Sequence, residues 1–349
     1  MLSTCFGKGE TTVNLKTIAQ KAGVSTATVS NVINGNHHKV SQETIERVQK
    51  IIEETNYKPN ATARSLASKK SKIIGVVVSN IHEHENFSIN PHYTHLLALL
   101  EQHIRKEGYY MMVRCVWQSV ESIPLFSSWN VDGMIFFGTY RSEAMEIRES
   151  LNVPAVFIDT YAENISNVGI DDYKGGYLAG KYLLEKGHTQ IAIAAPNIHY
   201  GGVMQERYIG FRDACREYGI ELTADRYFHT ESFYQGGVET GKQIALSNTD
   251  FTAVAVMSDI AAFGVMEGLR LKGKRIPEDV SVIGFDNLTE CRYSYPQLTT
   301  ISQNVEKKAE SVSRMLFRLI QGDKWEVVNE ISDVKVEERY SVRDLSARQ

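Results

Sequence analysis

"VNLKTIAQKAGVSTATVSNVING", residues 13–35, decides how the rest of this chain is read. Leu15, Ile18, Ala19 and Ala22 recur at the i, i+3, i+4, i+7 spacing of one helix face. Gly23 then supplies a tight turn, and Ser25 or Thr26 is suited to cap a second helix that buries Val29, Val32 and Ile33. That helix ends near "NGN", where Asn34 and Gly35 can adopt a left-handed cap. A third helix opens at "SQET", with Ser41, Thr44 and the periodic run Ile45, Val48, Ile51, Ile52. Two short helices joined by a turn and braced by a third can lay one helix in the major groove of DNA. The outward face of the second helix carries Ser25, Thr26, Ala27, Thr28, Ser30 and Asn31. Hydroxyls bond phosphate, Asn reads adenine in a bidentate manner, and Ala touches a thymine methyl. A Ser/Thr-rich face can equally be a merely solvated one.

Charge separates this head from the remainder. Residues 1–72 hold 11 Lys/Arg against 5 Asp/Glu, while the rest holds 27 against 37, within a net charge of −4. A basic head on an acidic body suits a module that lies against a polyanion. The segment "YKPNATARSLASKKSK", residues 57–72, adds Pro59, a run of alanines, Arg64, Leu66 and the cluster Lys69, Lys70, Lys72. A short Ala-rich helix with one exposed leucine is a poor core element. It makes sense as a wedge pushed between base steps from the minor groove.

"AGVSTATVSNVIN" followed by "YKPNATARSLA" resembles the lactose-repressor/galactose-repressor (LacI/GalR) family of bacterial transcription regulators. The resemblance covers the head almost continuously and the rest more weakly. It implies that Thr26, Ala27 and Asn31 are base-reading positions. It also implies that Asn60, Ala63 and Leu66 lie on a hinge helix, with Leu66 as the wedge. Most members carry Arg where this chain has Asn31, which removes the usual guanine contact and leaves the half-site sequence open.

At 349 residues, 42% hydrophobic and 23% charged, the chain is expected to hold more than one globular domain. No run of about 18 apolar residues points to a membrane span, and the N-terminus has no signal-peptide pattern, so a cytoplasmic location is expected. Cys5, Cys115, Cys215 and Cys291 are scattered without C-x-x-C spacing and read as reduced thiols. The organisation expected is a disordered extension at 1–12, a helix–turn–helix domain at 13–58, a hinge helix and linker at 59–71, and an effector-binding and dimerisation body at 72–349.

In that body, apolar runs "KIIGVVVS", "YYMMVRCV", "DGMIFFG" and "VPAVFID" alternate with helical patterns, and "QIAIAAP", "AVAVMSD" and "SVIGFD" form a second series. Strands buried on both faces and separated by helices indicate parallel doubly wound sheets. Two series predict two α/β lobes with a cleft where strand C-termini face each other. The resemblance implies a body like a periplasmic sugar-binding protein, with lobe boundaries expected near 161 and 288 and the last crossing at "YPQLTTI".

The resemblance also implies effector contacts: Arg207 in "MQERYIGF", Ser258 and Asp259 in "VMSDIAAFG", Asp286 in "VIGFDN", Asp159 in "VFIDT", and Phe233 as a stacking aromatic in "ESFYQGG". Carboxylates, an arginine and an aromatic floor suit a sugar. Each strand-end aspartate could instead be a helix N-cap. His82, His84, His92 and His95 cluster in and after the inserted loop "NIHEHENFSINPHY", yet no known ligand spacing is completed, so no metal is expected and the loop is read as shaping effector choice.

"GGYLAGK", residues 175–181, mimics a phosphate loop but has Tyr182 where a magnesium-holding hydroxyl belongs, and it sits in a helical pattern. No catalytic motif or cofactor site is found. An enzyme on a doubly wound fold, or a secreted sugar-binding component, leaves the head and hinge unexplained. The expectation is a homodimeric, sequence-specific repressor of a pseudo-palindromic operator, controlled by a small sugar-like effector. A phosphocarrier-protein corepressor is the alternative. No trailing leucine heptad suggests a tetramer.

Overall fold

A computed structural model describes residues 13–33, 35–57, 70–79, 90–196, 198, 202–322 and 327–346. The expected extension at 1–12, hinge positions Asn60, Ala63 and Leu66, and loop residues His82 and His84 lie outside them. The chain divides into two compact units, Met1–Ser71 and Lys72–Gln349.

The first unit contains α1 (Leu15–Ala22), α2 (Thr26–Ile33) and α3 (Gln42–Glu54). Asn14 caps α1 by accepting from the Thr17 amide at 3.0 Å. Gly23 closes the helix with φ 66°, a left-handed conformation that glycine takes without a Cβ penalty. Ser25 Oγ accepts from the Thr28 amide at 3.1 Å, so the capping residue of α2 is Ser25. Ile18, Ala19, Ala22, Val29, Val32, Ile45 and Val48 form one small core. Helices this short are marginal alone, and that shared core is what holds them.

The second unit is built on two six-stranded sheets. The strands in chain order are β1 (Ile73–Val78), β2 (Tyr110–Cys115), β3 (Gly133–Phe137), β4 (Ala155–Ile158), β5 (Asn167–Ile170), β6 (Ile191–Ala195), β7 (Tyr227–His229), β8 (Ala253–Val256), β9 (Ser281–Asp286), β10 (Thr299–Ser302), β11 (Asn329–Ser332) and β12 (Lys335–Glu337). The first sheet runs β11-β5-β4-β3-β1-β2 and the second β12-β10-β9-β8-β6-β7. All pairings are parallel except β10 with β12. Helices α4 (Pro91–Lys106), α5 (Ile123–Ser128), α6 (Arg141–Ser150), α7 (Asp172–Glu185), α8 (Val203–Glu217), α9 (Tyr234–Leu246), α10 (Asp259–Leu271) and α11 (Val305–Ile320) cover the faces. Each sheet has apolar clusters on both sides, which is why its central strands are continuous apolar runs.

The lobe boundaries differ from the expected ones. β5 still pairs in the first sheet, so the chain leaves that lobe near 171 and not near 161. β10 pairs with β9 in the second sheet, which moves the return from 288 to about 303. α11 then packs on the first lobe through Ala309, Val312 and Leu316. β11 and β12 follow on opposite sheets, so a third crossing lies at 333–334, beyond "YPQLTTI". β5 and β10 are four residues each and mix polar with apolar positions, and their absence from the sequence reading displaced both boundaries.

The glycines of "GGYLAGK" have a packing role. A Cβ on Gly176 would fall 1.8 Å from the Arg207 carbonyl oxygen, and one on Gly210 1.9 Å from that of Tyr173. α7 and α8 therefore touch backbone to backbone.

Candidate functional site

The residues singled out at the start of α2 and along it differ in exposure. Ser25, Thr26 and Ala27 are exposed, while Thr28, Ser30 and Asn31 are half-buried beside the core residues Val29 and Val32. Ser25 also serves as the cap, so its hydroxyl is engaged with Thr28 Oγ1 at 2.9 Å.

The second candidate site lies at the C-terminal ends of the body's parallel strands, where such folds place ligands. Asp159 follows β4, Ser258 follows β8 by two residues, and Asp286 ends β9. Arg207 enters from α8. It is 6% exposed; its Nε donates to Asp172 Oδ1 at 2.7 Å and its Nη1 to the Met257 carbonyl at 2.8 Å. Its guanidinium lies 3.6 Å from the centroid of the Phe285 ring. Gly175 makes room for that ring, since a Cβ there would meet it at 2.6 Å. Tyr161 donates to the other Asp172 oxygen at 2.7 Å. Burial pushes the Asp172 carboxyl up and the guanidinium pulls it back, so Asp172 acts as the counter-ion of Arg207.

Asp286 accepts from Gln303 Nε2 at 2.7 Å. Burial raises it to about 7, against the opposing pull of Arg207. Asp286 and Asp159 have φ of 122° and 56°, in the left-handed region that aspartate occupies at a cost. Such strain gathers at ligand sites because the surrounding fold holds it in place. Asp159 is paired with a cation of the protein itself. Both its oxygens accept from Lys308 Nζ, at 2.8 and 2.9 Å.

Ser258 is 4% exposed, and its Oγ has no hydrogen-bond partner among the described residues. A buried, unsatisfied hydroxyl calls for an explanation, and here it lies next to Met257, the Arg207 acceptor. Asp259 is engaged within the protein. It is fully buried, and it accepts from the Leu288 amide at 2.8 Å, from Thr300 Oγ1 at 2.6 Å and from Cys291 Sγ at 3.1 Å. Asp259 is a scaffold tie inside the second lobe. Phe233 is half-buried at the start of α9, while the aromatic stacked on Arg207 is Phe285.

Sequence reasoning missed Tyr93, Tyr161, Asp172, Gln303 and Lys308. Burial first, and then Asp286 and Asp159, raise Tyr93 to about 12, which places its hydroxyl in the field of both carboxylates. His92 is buried, with Nδ1 unpartnered among the described residues, and burial followed by Lys308 and Arg207 lowers it well below the usual histidine range. Among the described residues no His, Cys, Asp and Glu group could hold a metal ion. The detectable signal for Lys308 was a lysine three residues after Val305 on the apolar stripe of α11.

A helix–turn–helix head ahead of a two-sheet α/β body with buried charged side chains at its strand ends is the architecture of a ligand-responsive DNA-binding regulator. The chain belongs to the family described as bacterial regulatory proteins, lacI family, whose model matches residues 14–60, and a periplasmic binding protein-like domain matches residues 181–342. It is 33% identical over 316 residues to the HTH-type transcriptional repressor PurR of Pasteurella multocida (strain Pm70), covering 88% of this chain and 91% of that protein. The structure of the Lac repressor dimer bound to operator and the anti-inducer ONPF is 27% identical, with TM-score 0.84 and coverage of 95% of this chain and 99% of that one. A transcriptional regulator CelR–cellobiose complex is also 27% identical, with TM-score 0.71 and coverage of 94% and 99%. The chain is thus a DNA-binding transcriptional regulator with an effector-binding body. Among the described residues no helix is long and apolar enough to cross a membrane.

Proposed function

We propose that this protein is a homodimeric repressor of carbohydrate-utilisation genes whose operator affinity is set by a sugar bound between the two lobes. The observation that carries the reading is the convergence of Arg207 from α8 with the strand-end Ser258, whose hydroxyl has no partner among the described residues, and the strained Asp286 in one lobe, tied to Asp159 of the other. A guanidinium and a carboxylate match the paired hydroxyls of a sugar, and Ser258 can both donate and accept. The cellobiose complex of CelR supports a carbohydrate as the ligand class.

Thr26, Ala27 and Asn31 read base edges in this proposal, Ser25, Thr28 and Ser30 meet phosphates, and Asn60, Ala63 and Leu66 serve the hinge in the minor groove. The action is binding and not catalysis, in the cytoplasm where the operator is. The dimer bound to operator in the Lac repressor supports a two-fold assembly on a pseudo-palindrome. So do Tyr293 and Tyr295, which are 79% and 90% exposed beside Tyr234, Phe263 and Met266.

The test is a thermal-shift panel of mono- and disaccharides and sugar phosphates on the full chain. A binding sugar at a hundredfold excess over its dissociation constant adds about 2.7 kcal/mol of stability. The shift is expected to vanish in Arg207→Ala and in Asp286→Ala. A sugar that stabilises both variants as well as the wild type would overturn the cleft assignment.

A further inference from the structure

The Lys308 side chain is 1% exposed, and the sequence places it on the apolar face of α11. An ammonium buried there is costly unless every N–H is satisfied. Its three donors find three acceptors: Asp159 Oδ1 and Oδ2, and Gln303 Oε1 at 2.9 Å. Gln303 belongs to the crossing between the lobes, and its amide nitrogen reaches Asp286 Oδ1 at 2.7 Å.

The chemistry of this chain of contacts is directional. An amide can be turned over at little cost in shape, and only its partners decide which end is oxygen. An ammonium can only donate, so Lys308 takes the oxygen end of Gln303 whether Asp286 is ionised or neutral. Gln303 between them is locked, with oxygen toward Lys308 and nitrogen toward Asp286. Asp159 holds Lys308 from the first lobe, so the lock runs from β4 through α11 to β9.

We propose that Lys308 is a positioning residue of the effector site, acting through Gln303 to fix the orientation of Asp286 against Asp159 across the cleft; this rests on the sugar-binding reading above. A hydrocarbon side chain at this position would fill the same space and leave the Gln303 amide free to turn. The ligand-gripping carboxylate would then lose a donor held in one sense. Lys308 thereby links the two lobes through the site itself.

The experiment is a double-mutant cycle on the full chain, titrated with the sugar that gives the largest wild-type thermal shift. Lys308→Met and Gln303→Met should each weaken binding about tenfold, the size of one charge-assisted hydrogen bond. The double variant should bind no more weakly than either single one, because both break the same relay. Ligand-free melting temperatures are measured alongside, since Lys308→Met also strands Asp159. A merely structural role would make the two affinity losses multiply, which would overturn the proposal. Gln303→Glu keeps Lys308 paired and offers Asp286 an acceptor where it had a donor. Unchanged sugar affinity in that variant overturns the relay however Lys308→Met folds. A flat wild-type panel overturns the sugar reading and this inference together, whereas a wild-type hit with multiplicative losses overturns the inference alone.

Discussion

Asp286 joins the geometry of the cleft to pH. Burial holds its carboxyl at about 7, far above an ordinary aspartate. If sugar hydroxyls donate to its ionised form, as proposed, ligand binding releases a proton. Affinity should rise roughly tenfold from pH 6 to pH 8 and then level off, and Asp286→Asn should remove the slope. Titration calorimetry at the two pH values checks this; equal affinities would separate Asp286 from the ligand. In the unliganded protein the sign is opposite. The neutral form's stabilisation is fully present below the unfolded value near 4 and is lost as pH rises through about 7. Asp286 and Arg207 were named from their places in "VIGFDN" and "MQERYIGF", and both are buried polar side chains. The sequence did not separate Asp259 from them, since a strand-end carboxylate facing a ligand and one swallowed by Leu288, Thr300 and Cys291 look alike without the third dimension.

Helix pairing is what brings Arg207 to its place. α7 and α8 approach so closely that Gly176 and the Arg207 backbone leave no room for a methyl group. Gly176→Ala is therefore expected to cost about 1–3 kcal/mol by overpacking and to weaken sugar binding as Arg207 shifts off Phe285. Gly219→Ala is the matched control. Its φ of 71° makes alanine strained, but nothing lies within 4 Å, so stability alone should fall. Melting curves and sugar titrations of both variants give the comparison, and full affinity in Gly176→Ala would detach the helix contact from the site. The central strands and the three head helices were readable because burial imposes a period. β11 and β12 were not, because an edge strand of three or four residues with exposed positions has no period to show.

The head and the body are separate compact units, and what joins them functionally is thermodynamic linkage. If a sugar changes operator affinity by some factor, operator DNA must change sugar affinity by that same factor. Sugar titrations with and without operator, set against operator titrations with and without sugar, should give one coupling factor. Two different factors would mean that another equilibrium, such as dimer dissociation, is being read instead. The class of the molecule was legible in residues 13–35 and in the two strand series. The path of the chain between lobes was not, because a crossing has no composition of its own.

That path has a consequence for synthesis on the ribosome. The first lobe is begun at β1, but its core waits for α11 and its sheet for β11. All five of the other lobe's parallel strands emerge in between. At roughly 5–20 residues per second, the stretch from β5 to α11 leaves that lobe's apolar face uncovered for on the order of ten seconds. A nascent chain stalled in that interval exposes the face that Ala309, Val312 and Leu316 later cover, which makes it the natural place for a chaperone to engage. The lobe started first is the one whose sheet and core wait for segments made after all five parallel strands of the other.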